Sequence, residues 1–172
     1  MASGPEARFF CRRLATEMLR DTLARSRHLE KVDPARSRQM ALVKSKNTKP
    51  EIVVRRLVHS LGYRFRLHRR NLPGAPDLVF PSRRKVIFVH GCFWHQHDDP
   101  TCWRSRLPKT RQDFWAPKLV GNAARDKRDI EALNKVGWAA LVVWECQTIT
   151  SKKDQLAAGI KAFLGPLTAI SS

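Results

Sequence analysis

The chain has 172 residues, enough for one domain with a real core, and carries 33 Lys and Arg against 15 Asp and Glu, a formal charge of +18. That excess points to a polyanionic partner, nucleic acid before an acidic membrane surface. No run of about 18 apolar residues is present to span a membrane, and four unevenly placed cysteines are too few for a secreted disulfide scaffold.

In chain order, residues 1–35 read as an extension, helical over about Phe10 to Ala24, where Phe10, Leu14 and Met18 share a face. Its seven basic and five acidic residues nearly balance. The Arg-rich stretch Phe9 to Val32 also contains Glu17, Asp21 and Glu30 and lacks an apolar signal core, so it makes a poor targeting peptide. A cytoplasmic, nucleoid-associated protein is the expectation. The positive charge lies further on: Arg36 to Ala75 holds eleven Lys or Arg and one acid, Glu51. Within it Arg36 to Thr48, with Arg36, Arg38, Lys44 and Lys46, reads as a basic arm that orders on DNA.

Thr48-Lys49-Pro50-Glu51 is a capping box with proline in the first turn, and predicts a helix with Val53, Leu57 and Leu61 on one face, ended by Gly62. Tyr63 to His68 alternates, with Tyr63, Phe65 and Leu67 inward, as an edge-like strand. A turn at 71–76 leads to a strand opened by Asp77 and running through Phe80, and Pro81 to Arg84 turns the chain back. Val86-Ile87-Phe88-Val89 reads as a strand buried on both faces. It runs into His90-Gly91-Cys92-Phe93-Trp94-His95-Gln96-His97, more ligand and stacking chemistry than packing calls for. Strand ends feeding loops are where α/β proteins place their sites. Arg106 to Arg111 is a basic connector. A helix is expected from about Pro117 to Val136, then a buried strand over Trp138 to Trp144. A last helix comes next, capped by Thr150 or Ser151, carrying Leu156, Ile160 and Phe163, and stopped by Gly165-Pro166. The order predicts a mixed α/β sandwich.

Three constellations carry chemistry. Cys92-x4-His97-x4-Cys102, closed by Cys146, offers three thiolates and an imidazole, the donor set of a closed, structural zinc site. His95 is a rival for the imidazole, and three reduced buried cysteines are the plain alternative. Asp77 at a strand start, facing the strand that ends at Val89-His90, suits a Mg²⁺ ligand at a scissile phosphate; a turn aspartate is the competing reading. His90 and His95 add groups able to move a proton near neutral pH. Phe93, Trp94 and Trp115 suit stacking wedges on a basic protein, with core packing as the alternative. Trp138 and Trp144 read as core, and Trp103 has no assigned place.

Arg36-Ser37-Arg38-Gln39-Met40, Leu72-Pro73-Gly74-Ala75-Pro76-Asp77, Phe88-Val89-His90-Gly91-Cys92-Phe93-Trp94-His95, Phe114-Trp115, Arg125-Asp126-Lys127-Arg128-Asp129, Gly137-Trp138 and Val143-Trp144-Glu145-Cys146 resemble the very-short-patch-repair (Vsr) mismatch endonucleases, over about residues 36–147. The resemblance implies a restriction-endonuclease-like fold in 36–147, with 148–172 as a C-terminal helix packed on it. It implies an enzyme that nicks DNA next to the T of a T·G mismatch left by 5-methylcytosine deamination. It makes Asp77 the Mg²⁺ ligand, assisted by the Val89 carbonyl, and His95 the general acid/base, supported by His90, Glu51 and Asp126. Cys92, His97, Cys102 and Cys146 would hold zinc, and Phe93, Trp94 and Trp115 would intercalate. A monomer acting on mismatched duplex DNA is expected, with mismatch-repair proteins as candidate partners. Two features depart from the family pattern: a longer gap from His97 to Cys102, and Val at position 89 in place of Thr. Two other functions compete, a zinc-stabilised DNA-binding module without catalysis and a nuclease of this fold blind to mismatches. Asp77, His90 and His95 together speak against the first; only substrate tests separate the second.

Overall fold

The structure, a computed structural model, describes Arg38 and residues 46–67 and 69–167. The helix expected over 10–24, most of the basic arm including Arg36 and Lys44, and His68 lie outside the described residues; Arg38 and Lys46 are exposed. The chain divides after Ser45, and the sheet, its helices and the candidate site all belong to the second unit, Lys46–Ser172.

Helix α1, Lys49–Ser60, begins where its capping box dictates. The Thr48 hydroxyl accepts the Glu51 N–H, and the Glu51 carboxylate accepts the Thr48 N–H in return, which satisfies two donors at the bare helix end. Its buried stripe is Glu51, Val54, Leu57 and Val58, and Val53, expected inward, is exposed. Strict four-residue spacing drifts off a 3.6-residue period, and the 54/57/58 stripe is the one that stays on the core.

Strand β1 is reduced to Arg66–Leu67 and pairs antiparallel with β2, Leu78–Phe80. Tyr63 is buried, but Leu67 is exposed on this edge, contrary to the alternation expected from Tyr63 to His68. β2 pairs antiparallel with β3, Lys85–His90, and β3 pairs parallel with β4, Ala139–Trp144, in register from Lys85↔Ala139 to His90↔Trp144. The expected three-strand meander is therefore present, and α2, Gln112–Lys135, supplies the crossover that a parallel pair requires. Alternate strand residues face opposite layers. Leu78, Phe80, Ile87 and Val143 pack with α1 and with α3, Lys153–Leu164, through Val54, Val58, Leu156 and Ile160. Val79, Val86 and Phe88 pack with Leu133 and Ile130 of α2. The result is a mixed sheet with helices on both faces.

Three local expectations shift. α2 starts at Gln112 rather than near Pro117, because Trp115 and Leu119, one turn apart, are both buried and the first turn closes on the Arg111 carbonyl; Pro117 lies inside the helix with the loss of one backbone bond. Thr150 and Ser151 form a 3₁₀ turn ahead of α3 rather than its cap. β4, expected to be buried, keeps most of its residues partly accessible at the sheet edge.

Part of the positive charge is structural. Arg83 donates to the Leu164 and Pro166 carbonyls, Lys85 to that of Phe163, and Arg84 to those of Val136 and Gly137. Each cation closes the C-terminal end of a helix, where carbonyls lack partners and the dipole favours positive charge.

Candidate active site and metal centre

The site grows from the C-terminal end of β3. After His90 the chain folds back in tight turns, with the His95 N–H donating to the Gly91 carbonyl (3.1 Å) and the His97 N–H to that of Cys92 (3.0 Å). Gln96, at φ 50°, makes the reversal, and Asn122 of α2 donates to the Trp94 carbonyl and holds the loop down. This fold-back lays the His95 ring on that of His90, centroids 3.9 Å apart and planes 11° from parallel. His95 Nδ1 is 2.6 Å from Asp126 Oδ2, on α2.

Asp77 stands just before β2, and its Oδ2 accepts the Val89 N–H at 2.7 Å. The carboxylate takes the place of a strand partner where β2 no longer reaches along β3. Burial, only partly offset by that hydrogen bond, raises its pKa to about 6; Glu51 raises it further, and Arg55 and His95 oppose the rise. Burial, with His95 second, brings His90 down to about 4, so its ring is neutral at physiological pH.

Glu51 is 4 % exposed and near enough to act on Asp77, but its oxygens are committed. Oε2 accepts from the Asn47 N–H (2.9 Å) and Arg55 Nη2 (2.8 Å), and Oε1 from the Thr48 hydroxyl (2.9 Å). In this arrangement it orders the start of α1 behind the site.

Among the described residues two groups of donors gather closely enough to hold an ion: Cys92, His97, Cys102 and Cys146 in one, His90, His95 and Asp126 in the other, with ligand atoms within 4.8 Å of one another in each. They differ in kind. A metal lies in the plane of an imidazole that binds it, and two stacked, near-parallel rings cannot both meet that demand. His90, His95 and Asp126 are thus better arranged to pass a proton than to share an ion. The cysteine cluster has one imidazole and no such conflict, and its spacing suits zinc. Zinc bonds of about 2.3 Å to sulfur and about 2.0 Å to nitrogen give a tetrahedral S···N edge of about 3.5 Å, and Cys146 Sγ lies 3.5 Å from His97 Nδ1. Burial raises the Cys92 thiol to about 12. Burial also works to raise Cys102, but hydrogen bonds, that of His97 foremost, outweigh it and bring the thiol down to about 7. Burial raises Cys146 as well, so the three thiols differ in their hold on their protons, and with His97 they are a donor set that a dication would satisfy.

Phe93, Trp94 and Trp115 come together as edge-to-face pairs, 5.1 Å for Phe93–Trp94, 5.3 Å for Phe93–Trp115 and 5.9 Å for Trp94–Trp115. Trp115 is 7 % exposed beneath the others, while Phe93 and Trp94 are half-buried. Sequence reasoning missed several members of the site. Phe114 joins the aromatic group, and the Lys118 ammonium lies 5.5–5.8 Å from the rings of Phe114, Trp94 and Trp115; its spacing of three from Trp115 on one helix was the available signal. Trp144, expected in the core, is half-buried between the two donor groups, stacked on His97 at 4.3 Å and edge-on to His90 at 5.5 Å. Its position at the last parallel pair, opposite His90, decides this.

A strand end that assembles a carboxylate, a histidine–aspartate pair and an aromatic cluster on a basic chain suits an enzyme that cuts DNA. Residues 30–101 match the family described as DNA mismatch endonuclease Vsr. Over 138 residues the chain is 52 % identical to the type II nicking enzyme V.XorIIP of Xanthomonas oryzae pv. oryzae, covering 80 % of this chain and 98 % of that one. It is 42 % identical over 111 residues to the DNA mismatch endonuclease Vsr of Escherichia coli, covering 64 % and 69 %, and 39 % identical over 112 residues to V.NmeAIP of Neisseria meningitidis, covering 65 % and 78 %. The chain belongs to the Vsr family of nicking endonucleases, and is a DNA-cleaving enzyme.

Proposed function

We propose that the protein nicks one strand of duplex DNA next to the T of a T·G mismatch, the lesion left by deamination of 5-methylcytosine, and so opens its repair. The observation that carries this reading is His95, paired with Asp126 of α2, stacked on His90 beside Asp77 and on the same loop as Phe93 and Trp94. The E. coli relative is named for mismatch cleavage, and the others for nicking.

Asp77 and the Val89 carbonyl would hold Mg²⁺, which when bound neutralises charge developing on the phosphate and lowers the pKa of a water. With Nδ1–H directed to Asp126, His95 presents Nε2 to take or give a proton. Asp126 fixes the tautomer and steadies the ring when it is charged. Neutral His90 supports the ring from one face without adding a second cation. Phe93 and Trp94, with Trp115 behind them, would wedge between base pairs at the mismatch. Arg36, Arg38, Lys44 and Lys46 would follow the phosphates. Cys92, His97, Cys102 and Cys146 would hold a structural zinc that fixes the loop carrying His95 and the wedge. In this reading residues 36–147 are a restriction-endonuclease-like core, 1–35 an extension, and 148–172 a helical supplement, in a cytoplasmic monomer.

The test is single-turnover nicking, with Mg²⁺, of duplexes carrying each mismatch in several contexts. Fast nicking beside T of T·G, with matched DNA nearly untouched, is expected. Equal nicking of matched and mismatched duplexes would replace this reading with a nuclease blind to mismatches.

A further inference from the structure

We propose that the connector from the cysteine cluster to α2, residues 103–111, is a second DNA-contacting element, with Trp103 as a stacking platform and Arg106 and Lys109 as phosphate contacts. The proposal rests on DNA as substrate, not on the mismatch reading.

Trp103 is 65 % exposed, whereas the other four tryptophans are buried or half-buried. An indole left in water contributes little to the core, yet this one stands on a firm base. Cys102 beside it is buried, its N–H donates to the Asp99 carbonyl (2.9 Å), and its own carbonyl accepts both the N–H and the hydroxyl of Ser105. The Arg104 guanidinium lies 4.6 Å over the ring, with Nε 3.9 Å from a Glu145 oxygen. A pre-positioned aromatic face with a guanidinium on it is what base stacking on a nucleic-acid-binding protein uses.

Charge selects the occupant. Residues 103–111 hold Arg104, Arg106, Lys109 and Arg111 and no acid, and Arg106 and Lys109 are exposed. Phosphates complement such a strip; an acid-free strip gives a protein of mixed charge little to pair with. Chain length sets the reach. Eight residue steps lead from Trp103 to Arg111, whose carbonyl accepts the Trp115 N–H. Extended, they span at most about 27 Å, or about eight base pairs at roughly 3.4 Å each. Trp103 therefore meets DNA no further than about eight base pairs from the aromatic cluster.

The experiment measures affinity of the full-length protein, with and without Trp103→Ala, for duplexes whose arms on either side of the aromatic contact are about twelve base pairs long or end at that contact. On long arms Trp103→Ala should weaken binding about fivefold to a hundredfold, and Trp103→Phe should recover most of it. Shortening one particular arm should abolish the difference. Arg106→Gln should lower the slope of log affinity against log salt by about one, and decides the matter if Trp103→Ala does not fold. The proposal is overturned if Trp103→Ala binds long arms as the parent does, or if its loss is the same whichever arm is shortened. It is also overturned if Arg106→Gln leaves the slope unchanged. Matched duplexes of the same lengths keep the test readable should mismatch preference fail.

Discussion

At neutral pH an ionised Asp77 sits half-buried, with Glu51 adding to the penalty and Arg55 and His95 reducing it. Its folded pKa, about 6, lies above the ordinary 3.8, so the folded state binds the extra proton between those values. The stability this confers is fully present below about pH 4 and is lost as pH rises through 6. Asp77→Asn should therefore raise the melting temperature of the Mg²⁺-free protein at pH 7, by at most about 3 kcal/mol in stability, and the advantage should shrink below pH 4. A variant less stable at pH 7 would show that the carboxylate is held by contacts rather than strained by burial. His95 and Trp94 neighbour one another in sequence yet should separate in kinetics. His95→Ala should slow nicking roughly 100-fold or more, the usual worth of a positioned acid or base, with binding largely kept. Trp94→Ala should instead weaken binding and mismatch preference, by about 1–3 kcal/mol. Gel-shift affinity paired with single-turnover nicking distinguishes them, and a common defect in both variants would mean the loop acts only as a structural unit.

The decisive element is the loop from Gly91 to Ser105. It contains no regular helix or strand longer than one 3₁₀ turn, and what fixes it is its own backbone turns, the Asn122 bond and the cysteine cluster. A zinc ion there would add about 10 kcal/mol or more of apparent folding free energy. Purified protein should hold one zinc per chain, and stripping it with a chelator should unfold the loop and abolish nicking, because His95 and Trp94 ride on it. Metal analysis without zinc, in protein that still nicks, would end the idea. The start of α1 was legible because a capping box is a local pattern of four residues. The start of α2 was not: Pro117 is a sound local signal for a helix start, and burial of Trp115 and Leu119 overrode it.

On the scale of the molecule, the charge of +18 divides between two tasks. Arg83, Arg84 and Lys85 are engaged at helix ends, and Arg55 with Glu51. Among the described residues, exposed cations such as Lys46, Arg106 and Lys109 are placed to meet phosphate. If six phosphates are contacted, affinity should fall about a thousandfold between 50 and 200 mM salt. A flat response would count against the basic arm and the connector alike.

The sequence by itself determined the donor types at the end of β3, the capping box, the three-strand meander and the family, because these are carried by residue identity, spacing and short-range periodicity. Only the tertiary structure decided how those groups meet. Cys146 and Asp126 are already grouped with the loop by the donor set and the resemblance. The structure adds how they arrive, Asp126 across 31 residues through α2 and Cys146 through the parallel pairing of β3 and β4. It alone places Trp144 between the two donor groups. The stacking of His95 on His90 depends on a reversal at Gln96 that no periodicity announces. Such contacts are set by how layers pack, and local sequence does not encode a distance between layers.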